Sequence, residues 1–262
     1  MRAIATLVAV GALSLLGACA GGGNGTSGIS SGGGSSSGTN SSSTLPQNAE
    51  ISGAWQAVAT SVTPGAPTVY VEANLTQQST SITSTALLVI NSCIQANSSS
   101  TVMGTVSGQS VSLDAIYNGE TVLLNGTVAA NGTISGSYSA SGVCGSDSGT
   151  WTAQQIAAMS GSYTGNLIDS AKTQSTPISV AISNSAFTIT GTITVSSGCF
   201  ANLRLDGSQV GGAATVTSSD GFGNFVKFVF VTNDATFSSV TGVYQVISML
   251  CTGNSGTVVM AR

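Results

Sequence analysis

Apolar and polar residues alternate with a period of two along much of the chain after residue 50. The clearest run is AFTITGTITV at 186–195, where Phe187, Ile189, Gly191, Ile193 and Val195 alternate with threonines. One apolar and one polar face is typical of a half-buried β-strand, and a glycine on the inner face indicates sharp curvature. The pattern therefore predicts a curved strand at this position.

The same alternation recurs in the first half of the body. At 79–90 the residues predicted to point inward are Ile82, Ser84, Ala86, Leu88 and Ile90. At 109–117 they are Val111, Leu113, Ala115 and Tyr117. Eight strands are predicted in this half, near 52–60, 68–77, 79–90, 101–107, 109–117, 119–129, 132–141 and 148–155. We expect a similar number in the second half.

Dipeptides that tolerate positive φ separate several of these strands. They are Asn118-Gly119, Asn131-Gly132, Asp206-Gly207 and Asp220-Gly221. Such pairs are strong two-residue hairpin signals, and sequential hairpins produce an up-and-down meander. Closing eight strands into a barrel removes the exposed edges, so we favour an eight-stranded β-barrel over a curved β-sandwich.

The body repeats one plan twice. Ser52-Gly53-Ala54-Trp55 recurs as Ser160-Gly161-Ser162-Tyr163, Cys93 corresponds to Cys199, and Cys144 to Cys251, at separations of 108, 106 and 107 positions. Short loop insertions explain this drift. We therefore expect two homologous all-β modules, at 50–157 and 158–262.

Composition supports an all-β protein and excludes one class of partner. Only 5% of residues are charged, against about 25% in an ordinary soluble domain. Ser, Thr, Asn, Gln and Gly fill the difference, and they suit strands and turns better than helices. Five Lys and Arg against nine Asp and Glu cannot neutralise a run of phosphates, so nucleic-acid binding is not expected.

The first 18 residues have the layout of an export signal. Arg2 supplies one positive charge, and an apolar stretch at 3–16 is followed by Gly17 and Ala18. This stretch is short for a bilayer span of about 20 residues. LGAC at 16–19 resembles the lipobox of bacterial lipoproteins, which implies cleavage before Cys19 and a lipid on its sulfur and amine.

The lipoprotein resemblance implies attachment to a membrane by the lipid on Cys19. Ala20 follows the cysteine where aspartate would favour inner-membrane retention, so the class pattern implies the outer membrane. After Ala20 comes a tract of Gly, Ser, Thr and Asn, which cannot bury enough apolar surface to order itself. The segment 19–49 is therefore predicted to be a lipidated, flexible tether.

The other four cysteines are expected to form disulfides. Export places them in an oxidising compartment, where an even number of cysteines normally pairs. The duplication selects Cys93 with Cys144 and Cys199 with Cys251, because each module must have closed its own bond. Metal binding would need denser cysteines or added histidine, so no metal or cofactor is expected.

Residues suited to catalysis are scarce. The chain has no histidine, which removes the commonest general base and the Ser-His-Asp arrangement. Gly145–Gly149 resembles a nucleophile elbow only superficially, because Asp147 occupies the serine position; we interpret it as a turn. Glu72 and Asp114 lie inside predicted strands, where a two-carboxylate glycosidase could in principle be built from them. Asp114 falls on the polar face, however, which favours a solvated carboxylate. Asp169, Asp206, Asp220 and Asp234 fall mostly at predicted turns.

Two aromatic features have both a structural and a binding interpretation. Gly53-Ala54-Trp55 on the first strand resembles the Gly-x-Trp of lipocalin- and avidin-like barrels, and Gly149-Thr150-Trp151 lies on the last. Trp55 and Trp151 are interpreted as barrel-end core, with a ligand platform as the alternative. The strand 225–231 is apolar on both faces, which favours packing against module 1 over an exposed patch for a partner or lipid.

The whole chain resembles tandem Ser/Thr/Gly-rich lipoproteins of acidobacterial type, a likeness that carries no site residues. We expect a non-catalytic, lipid-anchored envelope protein that binds or adheres at the cell surface. A passive structural envelope protein and a carboxylate-based glycan hydrolase are the alternatives. Expected partners are the membrane, through the lipid, and a surface glycan, a small apolar ligand or an envelope protein.

Overall fold

The structure, a computed structural model, describes residues 47–66, 68–90, 101–117, 119–142, 145–170, 175–196, 203–219, 225–247 and 255–262. These residues form strands and the turns between them. A helix long and apolar enough to cross a membrane does not occur among them.

The strands form two closed antiparallel barrels in tandem. The first consists of β1 (Gly53–Ser61), β2 (Val69–Gln78), β3 (Ser81–Ile90), β4 (Thr101–Ser107), β5 (Ser110–Tyr117), β6 (Glu120–Val128), β7 (Ile134–Gly142) and β8 (Gly145–Ile156). The second consists of β9 (Gly161–Asp169), β10 (Ser175–Ser185), β11 (Thr188–Val195), β12 (Leu203–Val210), β13 (Ala213–Ser219), β14 (Phe225–Val231), β15 (Ser239–Ile247) and β16 (Ser255–Ala261). The predicted fold of two eight-stranded up-and-down barrels is confirmed.

Pairing of the first strand with the last closes each barrel. Ala57 of β1 lies opposite Ala153 of β8, and Leu167 of β9 lies opposite Val258 of β16. The predicted alternation holds well in β5, where Val111, Leu113, Ala115 and Tyr117 are all buried. Apolar side chains from every second position thus meet on each barrel axis.

A β-bulge interrupts the alternation predicted for β3, and the difference is seen at Leu87. Asn74 of β2 pairs with Ala86 and Leu75 with Ser84, so the register shifts between them. One extra residue reverses the alternation. Leu87, expected to face outward, consequently packs against the core of the first barrel.

Two features predicted around β11 and β12 are also wrong. Ala186 and Phe187 have φ of 46° and 67°, so they form the turn before β11 instead of its first residues. Asp206-Gly207 is not a hairpin but lies inside β12. A Cβ on Gly207 would strike the Thr215 carbonyl oxygen of β13, so this glycine serves close strand approach, and the turn follows at Gly211-Gly212.

Both barrels are closed at the end where the chain enters. Ile51, just before β1, and Met159, just before β9, are 0% exposed. They stand 108 positions apart and fill equivalent places in the two cores. The duplication therefore includes an apolar plug as well as the strands.

The entry end of the second barrel packs on the outer face of β1 and β2. Gln56 Nε2 donates to the Thr232 carbonyl oxygen at 2.9 Å. Asn74 Nδ2 donates to the Gln209 carbonyl oxygen at 2.6 Å, and the Gly211 N–H donates to Asn74 Oδ1 at 3.0 Å. The contacts come from the end of β12, from the β12–β13 turn and from the residue after β14.

The prediction that the strand 225–231 packs against module 1 is wrong. Val226, Phe228 and Phe230 point into the core of the second barrel, where Phe228 and Phe230 stack with ring centroids 5.5 Å apart. Phe225, Val229 and Val231 are only half-buried on the opposite face. The double-sided apolar pattern thus reflects an aromatic core on one side and partial exposure on the other.

Candidate functional site

Apolar side chains occupy the interior of both barrels over the described residues. Trp55 and Trp151, the weak ligand candidates, are 4% and 3% exposed and belong to the core of the first barrel. The indole Nε1 of Trp55 donates to the Ile51 carbonyl oxygen at 2.9 Å, and that of Trp151 to the Asn125 carbonyl oxygen at 3.1 Å. Both residues are satisfied core groups with almost no surface for a ligand.

The two acids considered for glycoside hydrolysis do not converge. Asp114 is exposed on the outer face of β5, three strands along the barrel from β2, which carries Glu72. Glu72 is 3% exposed and faces the second barrel. Its Oε1 accepts from Gln56 Nε2 at 2.9 Å and its Oε2 from the Gly212 N–H at 2.6 Å. Glu72 therefore belongs to the contact between the barrels.

Burial dominates the ionisation of Glu72. Loss of solvent raises the pKa of this carboxyl to about 7, against the opposing effect of its two hydrogen bonds. A buried carboxylate without a cation nearby is costly in its charged form. The charge state of Glu72 therefore links pH to the packing of the two barrels.

The interpretation of Asp147 as a turn residue is wrong, because Asp147 lies in β8. Its Oδ1 accepts from the Ser61 hydroxyl at 2.6 Å and its Oδ2 from the Tyr138 hydroxyl at 2.6 Å. These two bonds lower the pKa of Asp147. Burial, followed by the Asp147 carboxylate, raises the pKa of Tyr138 to about 12. The three side chains join β1, β7 and β8 at the seam of the barrel.

The second barrel carries a related arrangement. Tyr138 lies opposite Gly149, which lies opposite Ser61; Tyr244 lies opposite Gly256, which lies opposite Asp169. A Cβ on Gly149 would come within 2.8 Å of the Tyr138 ring, and one on Gly256 within 2.9 Å of the Tyr244 ring. Burial, followed by the Asp169 charge, raises the pKa of Tyr244. A tyrosine covering a glycine beside an acid thus recurs at both seams and stabilises closure.

The remaining predicted acids serve local structure. Asp169 is the buried last residue of β9. Asp206 forms an exposed ion pair with Arg204, Nε to Oδ2 3.1 Å. Asp234, after β14, accepts from the Thr236 and Ser238 N–H groups, which together with their hydroxyls lower its pKa strongly. Asp220 lies outside the described residues. Within the described ranges, no three acids gather at a spacing that would hold a metal ion.

The predicted lipid and disulfide positions fall outside the part of the chain that the structure describes. These are Cys19, Cys93, Cys144, Cys199 and Cys251. Their pairing and lipidation stay predictions.

Concave surfaces lined by small polar side chains lie on the outer face of each barrel. In the first barrel a groove of about 550 Å³ crosses β4 to β7. In the second barrel a groove of about 660 Å³ crosses β9 to β12 and includes Arg204. Both grooves are shallow and open to solvent along their length. These grooves are the candidate binding sites.

Sequence reasoning missed both the seam cluster and the grooves. No sequence pattern marks Ser61 and Tyr138, because their hydrogen bonds to Asp147 form only when β1, β7 and β8 pair in the closed barrel. The groove residues were visible only as polar positions of alternating strands. Predicting the groove would have required the register of four strands.

Comparison with known proteins adds little to this geometry. No family model matches the chain, and no curated protein matches it significantly. Among solved structures it is similar to kievitone hydratase from Nectria haematococca, with 14% identity over 87% of this chain and 95% of that chain, at a TM-score of 0.24. A likeness at this TM-score carries no argument about fold or activity.

Proposed function

We propose that the protein is a non-catalytic, lipid-anchored protein of the cell envelope whose barrels bind or adhere at the surface. The observation that carries this proposal is the combination of filled interiors with concave polar grooves outside. A ligand would then contact the outer faces. This favours a surface glycan or an envelope protein over a small apolar ligand, which would need an open interior.

Anchoring is proposed through Cys19 after removal of residues 1–18, most simply at the outer membrane. The segment 19–49 would act as the tether. Its end at the first barrel is firmly held, because the Ala49 N–H donates to the Gly108 carbonyl oxygen at 2.7 Å and Asn48 Oδ1 accepts from the Gly108 N–H at 2.8 Å. A tether that meets a fixed point transmits load to the barrel.

Strand directions favour the proposed disulfides. In an antiparallel meander, every second connection leaves from the same end of the barrel. The connection after Ile90 and the one after Gly142 are such a pair, and they carry Cys93 and Cys144. The connections after Val195 and Ile247 carry Cys199 and Cys251 in the same relation. Each pair would close a loop of about 50 residues and stabilise its barrel by up to about 4 kcal/mol.

A passive structural envelope protein is the second candidate, favoured by the filled interiors alone. The two candidates differ in a retention assay on polysaccharide-coated surfaces. Cells producing the full-length protein are compared with cells lacking it and with cells producing Cys19→Ser. Surface binding predicts retention that requires both the protein and Cys19. Equal retention of all three cell types would contradict adhesion and favour the passive role.

A further inference from the structure

The groove on the first barrel is lined by two parallel rows of polar side chains. One row crosses the sheet as Thr105, Ser112, Asn125 and Ser137, each opposite the next. The other crosses it as Ser107, Ser110, Thr127 and Ser135. Strand geometry separates neighbours in a row by about 4.8 Å and the two rows by about 7 Å. The groove therefore presents a two-by-four array of hydroxyl and amide groups.

These eight side chains are free to bind. All eight are exposed, and none of their polar side-chain atoms forms a hydrogen bond with another described residue. None of them carries a charge. Each hydroxyl can both donate and accept, and the Asn125 amide offers both functions at fixed positions. The array therefore suits a ligand that itself carries many hydroxyl groups.

The floor of the groove is formed by glycine and supported from inside by Trp151. Gly126 and Gly136 lie opposite each other between the two polar rows. A Cβ on Gly126 would come within 2.8 Å of Trp151 Cζ2, and one on Gly136 would strike the Asn125 carbonyl oxygen. Both positions therefore have no room for a side chain. Trp151 is buried beneath Gly126, and its indole Nε1 donates to the Asn125 carbonyl oxygen at 3.1 Å.

We propose that this groove binds an extended, uncharged polysaccharide chain. The inference rests on the proposed surface-binding function and assigns it a site and a ligand class. The absence of charge from the lining disfavours acidic polymers, and the absence of apolar lining side chains other than Val111 disfavours peptides. Without an aromatic platform each site binds weakly, and many anchored copies on one cell supply avidity.

The second groove provides an internal comparison. Its lining includes Thr190 and Thr192, but Ala181 interrupts the polar row and Arg204 adds a charge paired with Asp206. An uncharged chain finds fewer matching partners there. The first groove is therefore the expected main site.

The test is affinity electrophoresis of the full chain, extracted in mild detergent, through gels containing dextran, cellohexaose-grafted dextran or polygalacturonate. The variants are Ser112→Arg in the first groove, Ser112→Thr as its conservative partner, Thr192→Arg in the second groove, and Thr60→Arg on the exposed face of β1. All three positions are exposed, and circular dichroism checks that each of the four variants folds.

We expect at least one uncharged polymer to retard the native chain, with polygalacturonate ineffective. Ser112→Arg should weaken that retardation about tenfold or more, equivalent to about 1.4 kcal/mol, while Ser112→Thr and Thr60→Arg retain it. Retardation that survives Ser112→Arg but is lost in Thr192→Arg would overturn the assignment to the first groove and leave surface binding intact. Retardation by polygalacturonate alone would overturn the ligand class. No retardation by any polymer would overturn both the groove and a glycan as the ligand, and the retention assay would then test surface binding by itself.

Discussion

The side chain of Gln209 binds the backbone on either side of Ala158 and so fixes Met159 in the second barrel. Its Oε1 accepts from the Met159 N–H at 2.8 Å, and its Nε2 donates to the Ala157 carbonyl oxygen at 2.9 Å. Gln77 has the same role in the first barrel. Its Oε1 accepts from the Ile51 N–H at 2.8 Å, and its Nε2 donates to the Ala49 carbonyl oxygen at 3.0 Å. One amide thus replaces a neighbouring strand where the chain enters each barrel.

Replacing Gln209 by alanine should destabilise the protein more than replacing Gln77. Gln209 is 0% exposed, so Gln209→Ala leaves backbone groups without partners in a dry site, at about 1–3 kcal/mol each. Gln77 is half-buried, and water can replace it. Urea unfolding measures both, with the exposed Gln78→Ala as the control. Equal effects of all three substitutions would show that the glutamine bonds do not hold the plugs.

The Gly211-Gly212 turn should tolerate no side chain at its first position. Gly211 has φ of 55°, and a Cβ there would strike Glu72 Oε2 and the Trp55 carbonyl oxygen. Gly108→Ala is a matched control, since φ is 58° and no atom lies within 4 Å of the added Cβ. We expect Gly108→Ala to lower the free energy of unfolding by about 1 kcal/mol, from backbone strain alone. Gly211→Ala should cost at least about 2 kcal/mol more, because the barrels must separate locally.

Thermal unfolding followed by circular dichroism compares the two glycine variants. A separate early transition in Gly211→Ala would report loss of contact between the barrels. If Gly211→Ala and Gly108→Ala lower the melting temperature equally, the close approach at Glu72 contributes nothing.

Stability should fall as pH rises from about 4.5 to about 7. Burial raises the folded-state pKa of Glu72 from 4.5 to about 7, so the native protein binds more protons than the unfolded chain in that window. The contribution of Glu72 to the free energy of unfolding is fully present below the pKa of the unfolded state. It is lost as pH rises through the pKa of the folded state. It amounts to at most about 3 kcal/mol. Urea unfolding at several pH values measures it.

Glu72→Gln removes the titrating group and should flatten this pH dependence. The variant itself is less stable at low pH, because an amide cannot accept from both Gln56 and Gly212. The slope with pH, not the absolute stability, is the relevant quantity. An unchanged slope in Glu72→Gln would assign the pH dependence to other groups.

The seam of the first barrel should be visible in the ultraviolet titration of tyrosine. Burial and the Asp147 carboxylate raise the pKa of Tyr138 to about 12. Asp147→Asn removes the negative charge but not the burial, so this pKa should fall part of the way towards 10. Tyr138→Phe identifies the transition by removing it. A Tyr138 transition that does not move in Asp147→Asn would contradict the hydrogen bond.

Strand number, barrel closure and the inward residues of β5 could be predicted from sequence, because they follow from alternation within single segments. The bulge between β2 and β3 could not, because an extra residue is visible only against its partner strand. Leu87 therefore faces the core against expectation.

Asp206-Gly207 shows a different limit of sequence reasoning. The dipeptide favours a hairpin locally, but close approach of β13 uses the glycine inside a strand. The groove could not be predicted because its eight side chains come from four strands. Only the register brings Thr105, Ser112, Asn125 and Ser137 into one row.

The proposed surface binding depends on the proposed lipid anchor, and mass spectrometry of the protein extracted from membranes tests that anchor directly. We expect a mature chain that begins at Cys19 and carries a diacylglyceryl group and an acylated amine. We also expect no free thiol among Cys93, Cys144, Cys199 and Cys251. A chain that begins at Met1, or a Cys19 that carries no lipid, would contradict the proposed anchor.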